Sequence, residues 1–170
     1  VGWGTSPSLN RLGGVIHAGT WRVAGVGQPV AGVAGHLAYR PQNDRRFAWK
    51  TILDSVCLYG QVHRAMEEMR REASKNFPAF GLEGYETKYP SSLSGGMRQR
   101  AAFLRTALCK ADILLLDEPF GALDVITRGD MQDWLISMRA RLNRTVLLVT
   151  HDMDEALYLS DRILILNQAP

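Results

Sequence analysis

Three short runs in the second half of the chain are continuously apolar: residues 113–116 (ILLL), 146–149 (VLLV) and 163–166 (ILIL). A half-solvated strand alternates apolar and polar positions, so an unbroken run predicts a strand covered on both faces, the habit of a parallel sheet. Between the first two runs, Met131, Trp134, Leu135, Met138 and Leu142 fall at i, i+3, i+4, i+7 and i+11, one face of an amphipathic helix. Strand, helix, strand, short helix, strand predicts an α/β fold with right-handed crossovers. Residues 36–40 read as a further short strand ahead of a polar turn.

The middle of the chain differs. Residues 51–110 carry almost no strand signal, and Val62, Ala65, Met66, Met69 and Ala73 line one helical face, with Arg64, Glu67, Glu68, Arg70 and Arg71 on the other. That pattern predicts a surface helix packing a methionine stripe into a core. Pro78, Gly81, Gly84 and Pro90 then break the chain into short connectors. The expected organisation is one domain, an α/β core from residues 1–50 and 111–170 with a helical subdomain, 51–110, inserted in it.

Composition narrows the class. A chain of 170 residues, 46% apolar and 22% charged, is large enough to bury a core and too apolar to be disordered. The net charge of +3 comes from 20 basic and 17 acidic residues. They are interspersed rather than clustered, which predicts an ordinary solvated surface and no nucleic-acid partner. Cys57 and Cys109 provide neither a disulfide framework nor metal-ligand spacing, and suit a reducing, intracellular setting. No apolar run approaches the ~20 residues that cross a bilayer, and no leader pattern is seen, so work at a membrane would need a partner.

Two stretches carry chemistry. In ILLLDEP, residues 113–119, a buried strand delivers Asp117 and Glu118 to the carboxyl edge of the sheet, where open α/β folds bind ligands. They are either two exposed acids at a strand end or a working pair, one holding Mg²⁺ and the next polarising a water beside a phosphate. In LSGGMRQR, residues 93–100, Ser94, Gly95 and Gly96 open a helix running to about Lys110. Three such residues make either an N-cap with flexible glycines or a seat for phosphate at the positive end of the helix dipole.

The full octapeptide resembles the signature motif of the ATP-binding cassette (ABC) ATPases, and other motifs follow in family order. Gln42, in YRPQN, matches the Q-loop glutamine, and ILLLDEP resembles Walker B. GALD, residues 121–124, resembles the D-loop, and His151, in LLVTHDMDEA, matches the switch histidine. The resemblance implies a P-loop NTPase-like, mainly parallel sheet flanked by helices. It further implies ATP and Mg²⁺ as cofactors, Glu118 as general base, and Asp117, Ser6 and Gln42 on the magnesium side. Ser94, Gly95, Gly96 and Asp124 would face the nucleotide held by a second ATP-binding subunit, identical or different. A transmembrane permease subunit would hold the chain peripherally at the cytoplasmic, inner face of the cell membrane. FAWKTILDSV and YPSSLSGGMRQR look most like importers of the nitrate, sulfonate and taurine type. Phe47 and Trp49 are either apolar anchors for the permease or core residues.

The chain opens VGWGTSPSLN. The family's phosphate loop reads G-x-x-G-x-G-K-[ST]-[ST], and Gly2, Gly4 and Ser6 fall on its second glycine, third glycine and hydroxyl. Its first glycine and feeding strand would lie before Val1. Thr5 occupies the place of the lysine, and the first lysine in the chain is Lys50. Loop N–H groups could still cradle phosphates, but the cation that bridges the β- and γ-phosphates is lost. Two functions follow from the resemblance: the ATPase subunit of a transporter, or an impaired ATPase lending its signature motif to a competent partner.

Overall fold

The computed structural model describes residues 24–25, 28–29, 37–41 and 47–165. Two short strands, β1 (Ala24–Gly25) and β2 (Gln28–Pro29), pair antiparallel. The sheet that organises the site is parallel, with strand order β3 (Leu37–Arg40), β4 (Ile113–Asp117), β5 (Thr145–Val149). Leu37 lies opposite Ile113 and Arg40 opposite Leu116, while Asp117 lies opposite Val149. This register brings the carboxyl ends of all three strands to one edge.

Burial follows position in the sheet. Leu114, Leu115 and Leu116 of the central strand are fully covered, as an unbroken apolar run predicts. β5 is covered on one side only, and Leu147 stays 39% exposed. The third run departs from expectation: residues 163–165 form no strand, and Ile163, Leu164 and Ile165 are exposed, while Leu166 lies outside the described residues. An apolar run becomes a strand only where a neighbour supplies hydrogen bonds and cover, and among the described residues none pairs with this one.

Six α-helices lie in the described residues: α1 (Ile52–Val56), α2 (Leu58–Val62), α3 (Met66–Asn76), α4 (Gly95–Ala107), α5 (Val125–Leu142) and α6 (Met153–Leu159). Thr51 starts α1, its Oγ1 accepting from the Asp54 amide at 3.2 Å. The methionine stripe predicted from Val62 to Ala73 is split. Met69 and Ala73 are buried on α3, but Val62 ends α2 and is 77% exposed. The cause is Arg64, whose φ of 56° reverses the chain and breaks the helical register. The α2–α3 approach needs a glycine, because a Cβ at Gly60 would lie 2.6 Å from Met69 Cβ.

α5 presents the predicted face: Met131, Leu135 and Met138 are buried, and the Trp134 ring meets those of Phe80 and Phe103 edge-on at 5.1 and 5.5 Å. Phe103 also stacks on Phe120 at 6.0 Å, so α4, α5 and the segment after β4 share one apolar core. Asn143, left-handed at φ 42°, ends α5. Arg144 then donates from Nη1 to the carbonyls of Ala107 and Cys109 at 2.6 and 2.8 Å, satisfying backbone acceptors at the end of α4.

Candidate active site

β4 delivers its two acids to different surroundings. Asp117 closes the strand with 4% exposure, and the Tyr39 hydroxyl, from the neighbouring strand β3, donates to its Oδ2 at 3.2 Å. Burial, and then the charge and hydrogen bond of Asp117, push the Tyr39 hydroxyl up to about 12, so it remains a donor at neutral pH.

Glu118 continues the ladder by one bond, its amide donating to the Val149 carbonyl at 2.8 Å. Its φ of 42° lies in the left-handed region, at a cost of about 1–3 kcal/mol for a residue with a Cβ. The side chain meets His151, whose Nδ1 sits 3.0 Å from Glu118 Oε1. The strain predicts a separable outcome: Glu118→Gly should be more stable than Glu118→Ala by about 1–2 kcal/mol in urea denaturation. Equal stability would mean that position 118 bears no left-handed strain.

His151 sits on a tightly specified turn between β5 and α6. Asp152 caps α6, its Oδ1 accepting from the amides of Asp154 and Glu155 at 3.0 and 3.2 Å. Glu155, three residues on, completes a capping box through a relay. Its Oε2 accepts from Thr150 Oγ1 at 2.9 Å, and that hydroxyl accepts from the Asp152 amide at 3.0 Å. Burial pushes the Glu155 carboxyl up from its ordinary value.

Ser94 and Asp124 both act locally as helix caps. Ser94 Oγ accepts from the Met97 amide at 3.2 Å to start α4, and Asp124 Oδ1 accepts from the Thr127 amide at 3.0 Å to start α5. The Thr127 hydrogen bonds hold the Asp124 carboxyl below its usual value. Gly95 and Gly96 have a packing reason of their own. A Cβ on Gly96 would lie 3.1 Å from Thr127 Cγ2, and one on Gly95 3.5 Å from Leu123 Cδ2. The start of α4 is thus pressed against segment 121–127. Asp117, Glu118 and His151 come together at one sheet edge. Gly2, Gly4, Thr5, Ser6 and Gln42 lie outside the described residues.

Sequence reasoning missed Tyr39, Arg40 and Gln99. Arg40, only 2% exposed at the end of β3, lays its guanidinium over the Phe103 ring at 4.6 Å from the centroid. It donates to Gln99 Oε1 on α4 and reaches the Pro119 carbonyl at 3.5 Å. One buried cation therefore joins β3, α4 and the peptide after Glu118. The available signal was the strand period: Arg40 shares a face with Ala38, which is buried.

A profile of the family described as ABC transporter matches residues 5–121, more than half of the chain. The chain belongs to that family. Relatives in it include the formylaminopyrimidine import ATP-binding protein ThiZ of Halalkalibacterium halodurans, 48% identical over 145 residues. That alignment covers 85% of this chain and 58% of the relative. The nitrate import ATP-binding protein NrtD of Synechococcus elongatus is 35% identical over 172 residues, covering 99% of this chain and 63% of the relative. The chain therefore spans about three-fifths of the length of these relatives.

Solved ABC structures share the fold. The cbiO1 protein of Clostridium perfringens, part of the transporter complex cbiONQ, superposes with a TM-score of 0.74 at 21% identity, covering 92% of this chain and 66% of that one. A dimeric ATP-binding cassette in a post-hydrolysis state with ADP and Pi gives 0.71 at 24% identity, covering 91% and 73%. The P-loop NTPase fold of that family is α/β with a parallel sheet, as the order β3-β4-β5 shows here.

Proposed function

We propose that this chain is the ATP-binding subunit of an importer, coupling ATP binding and hydrolysis to solute transport, and that Glu118 and His151 act on the nucleotide. The observation that carries this reading is the 3.0 Å contact between Glu118 Oε1 and His151 Nδ1 at the edge where Asp117 also ends its strand. With its proton on Nδ1, the imidazole donates to the carboxylate, orients it, and keeps Nε2 for an oxygen of the substrate. Glu118 then takes the proton of the water that attacks the terminal phosphate.

The donor set suits Mg²⁺ held jointly with ATP. Among the described residues no three His, Cys, Asp or Glu side chains form a metal cluster; Asp117 would supply one oxygen, with the phosphates and water among the remaining ligands. Bound there, the ion would offset negative charge on the phosphates. Gln42 and Ser6 are proposed on the same side from the sequence.

The partners proposed are a permease and a second ATP-binding subunit at the inner face of the membrane. No helix among the described residues is long and apolar enough to cross a membrane itself. Trp49, 73% exposed and edge-on to half-buried Phe47 at 5.6 Å, is the proposed anchor on the permease. Trp49→Glu is expected to abolish ATP-driven uptake in reconstituted transporter while leaving the melting temperature within a few degrees; normal uptake would remove Trp49 from the interface.

A second reading is favoured by one observation, Thr5 in place of the phosphate-loop lysine. On it the chain binds nucleotide weakly and lends the start of α4 to a competent partner. ATP affinity and turnover of the purified chain with and without Mg²⁺ separate the two. Mg²⁺-dependent turnover that Glu118→Gln abolishes, even if slow, supports the first reading, and binding without turnover supports the second. Absence of ATP binding, alone and with a partner subunit, overturns both.

A further inference from the structure

Arg128 lies in the first turn of α5, its amide bonded to the Asp124 carbonyl at 2.9 Å, and its guanidinium reaches in two directions. Nη1 meets Asp152 Oδ2 at 3.4 Å, and Nη2 donates to the Leu123 carbonyl at 3.3 Å. Asp152 is the residue after His151, and Leu123 belongs to loop 121–124. We propose that Arg128 is a positioning residue that ties loop 121–124 to the turn carrying His151, so that a displacement of either is transmitted to the other.

The chemistry supports a mechanical rather than a stabilising role. Both side chains of the ion pair are about one-third exposed, at 31% and 33%, and pairs of that kind add little to stability. Two features make the link specific. Asp152 divides its carboxylate, Oδ1 holding the start of α6 and Oδ2 facing Arg128, so a pull on Arg128 acts on the frame that orients His151. The bridge also needs a planar fork with separate donors for a carboxylate and a carbonyl; a lysine ammonium is a single point that reaches one of them. The consequence for hydrolysis rests on the ATPase reading above: a partner pressing on loop 121–124 would be felt at His151, and through it at Glu118.

The test is hydrogen–deuterium exchange on the whole chain and its variants, read by segment. Asp152→Asn keeps the α6 cap, since Asn caps as well as Asp, and removes only the charge that Arg128 meets. It is expected to speed exchange in 121–124 by about two- to fivefold, on the scale of a partly exposed ion pair, while the Asp154 and Glu155 amides stay protected. Arg128→Lys should loosen 121–124 similarly, and adding Asp152→Asn to Arg128→Met should change nothing further. Residues Met66–Asn76 serve as the control for folding. Unchanged exchange in 121–124 for Asp152→Asn, or full retention of protection by Arg128→Lys, would overturn the proposal. Linked exchange in a chain that binds no ATP would sink the ATPase reading and support the link. Where turnover is measurable, Arg128→Lys should lower kcat with KM unchanged; a rise in KM alone would count against it.

Discussion

Thr5→Lys is expected to raise ATP turnover by about two to three orders of magnitude, the usual weight of one charged contact on a transferring phosphoryl group. The chain carries Asp117, Glu118 and His151 together at one edge, and the segment LSGGMRQR, which resembles the family's signature motif, at the start of α4. On the phosphate-loop reading proposed from the sequence, Thr5, after Gly4, stands where the family's pattern has lysine, so the loop would place no cation on the β- and γ-phosphates. Threonine can offer a hydroxyl to a phosphate but no charge to offset what develops in the transition state. Glu118→Gln in the same background provides the control: the amide cannot accept the water's proton, so ATP should bind and remain intact. Turnover that is fast in the unmodified chain and depends on Glu118 would show that lysine is dispensable here. No gain on restoring it would favour a subunit retained for the surface around Ser94–Gly96.

Phe120→Ala should cost about 3–5 kcal/mol, the usual range for removing a buried aromatic ring. Phe120 is fully buried two residues beyond Glu118, with its ring stacked on Phe103 at 6.0 Å. Against a total stability of about 5–15 kcal/mol this is roughly a fifth or more of the margin. The urea midpoint should fall sharply with little change in slope. The variant also tests the wiring, because Phe103 carries the Arg40 guanidinium on its ring and Arg40 reaches the Pro119 carbonyl. A loss below about 1 kcal/mol would contradict the burial of this ring.

Much of the site was legible from sequence because its parts are local. A run of four apolar residues ending in Asp117 and Glu118 specifies a buried strand with acids at its end, and Ser94 before two glycines specifies a helix start. Tyr39 and Gln99 were not legible, and for Arg40 the strand period offered a face but no partner. Each acts through residues distant in the chain, such as Asp117 for Tyr39 and Phe103 for Arg40. An arginine at the end of a short strand looks like a surface residue until α4 is packed over it.

By itself the sequence determined β4, β5, the start of α4 and the apolar face of α5, because strand and helix periods and caps are read over a few residues. It also ordered the motifs that point to the family. The tertiary structure decided the rest. The β4–β5 register set Asp117 opposite Val149 and so put His151 beside Glu118, against the left-handed strain of the latter. A left-handed Arg64 split a methionine stripe that looked continuous, and the run at 163–165 formed no strand because none of the described strands pairs with it. Hydrophobic pattern states what a segment would bury. Whether it does so, and which side chains then meet, depends on neighbours supplied by chain tens of residues away, whose packing and hydrogen bonds no local period encodes.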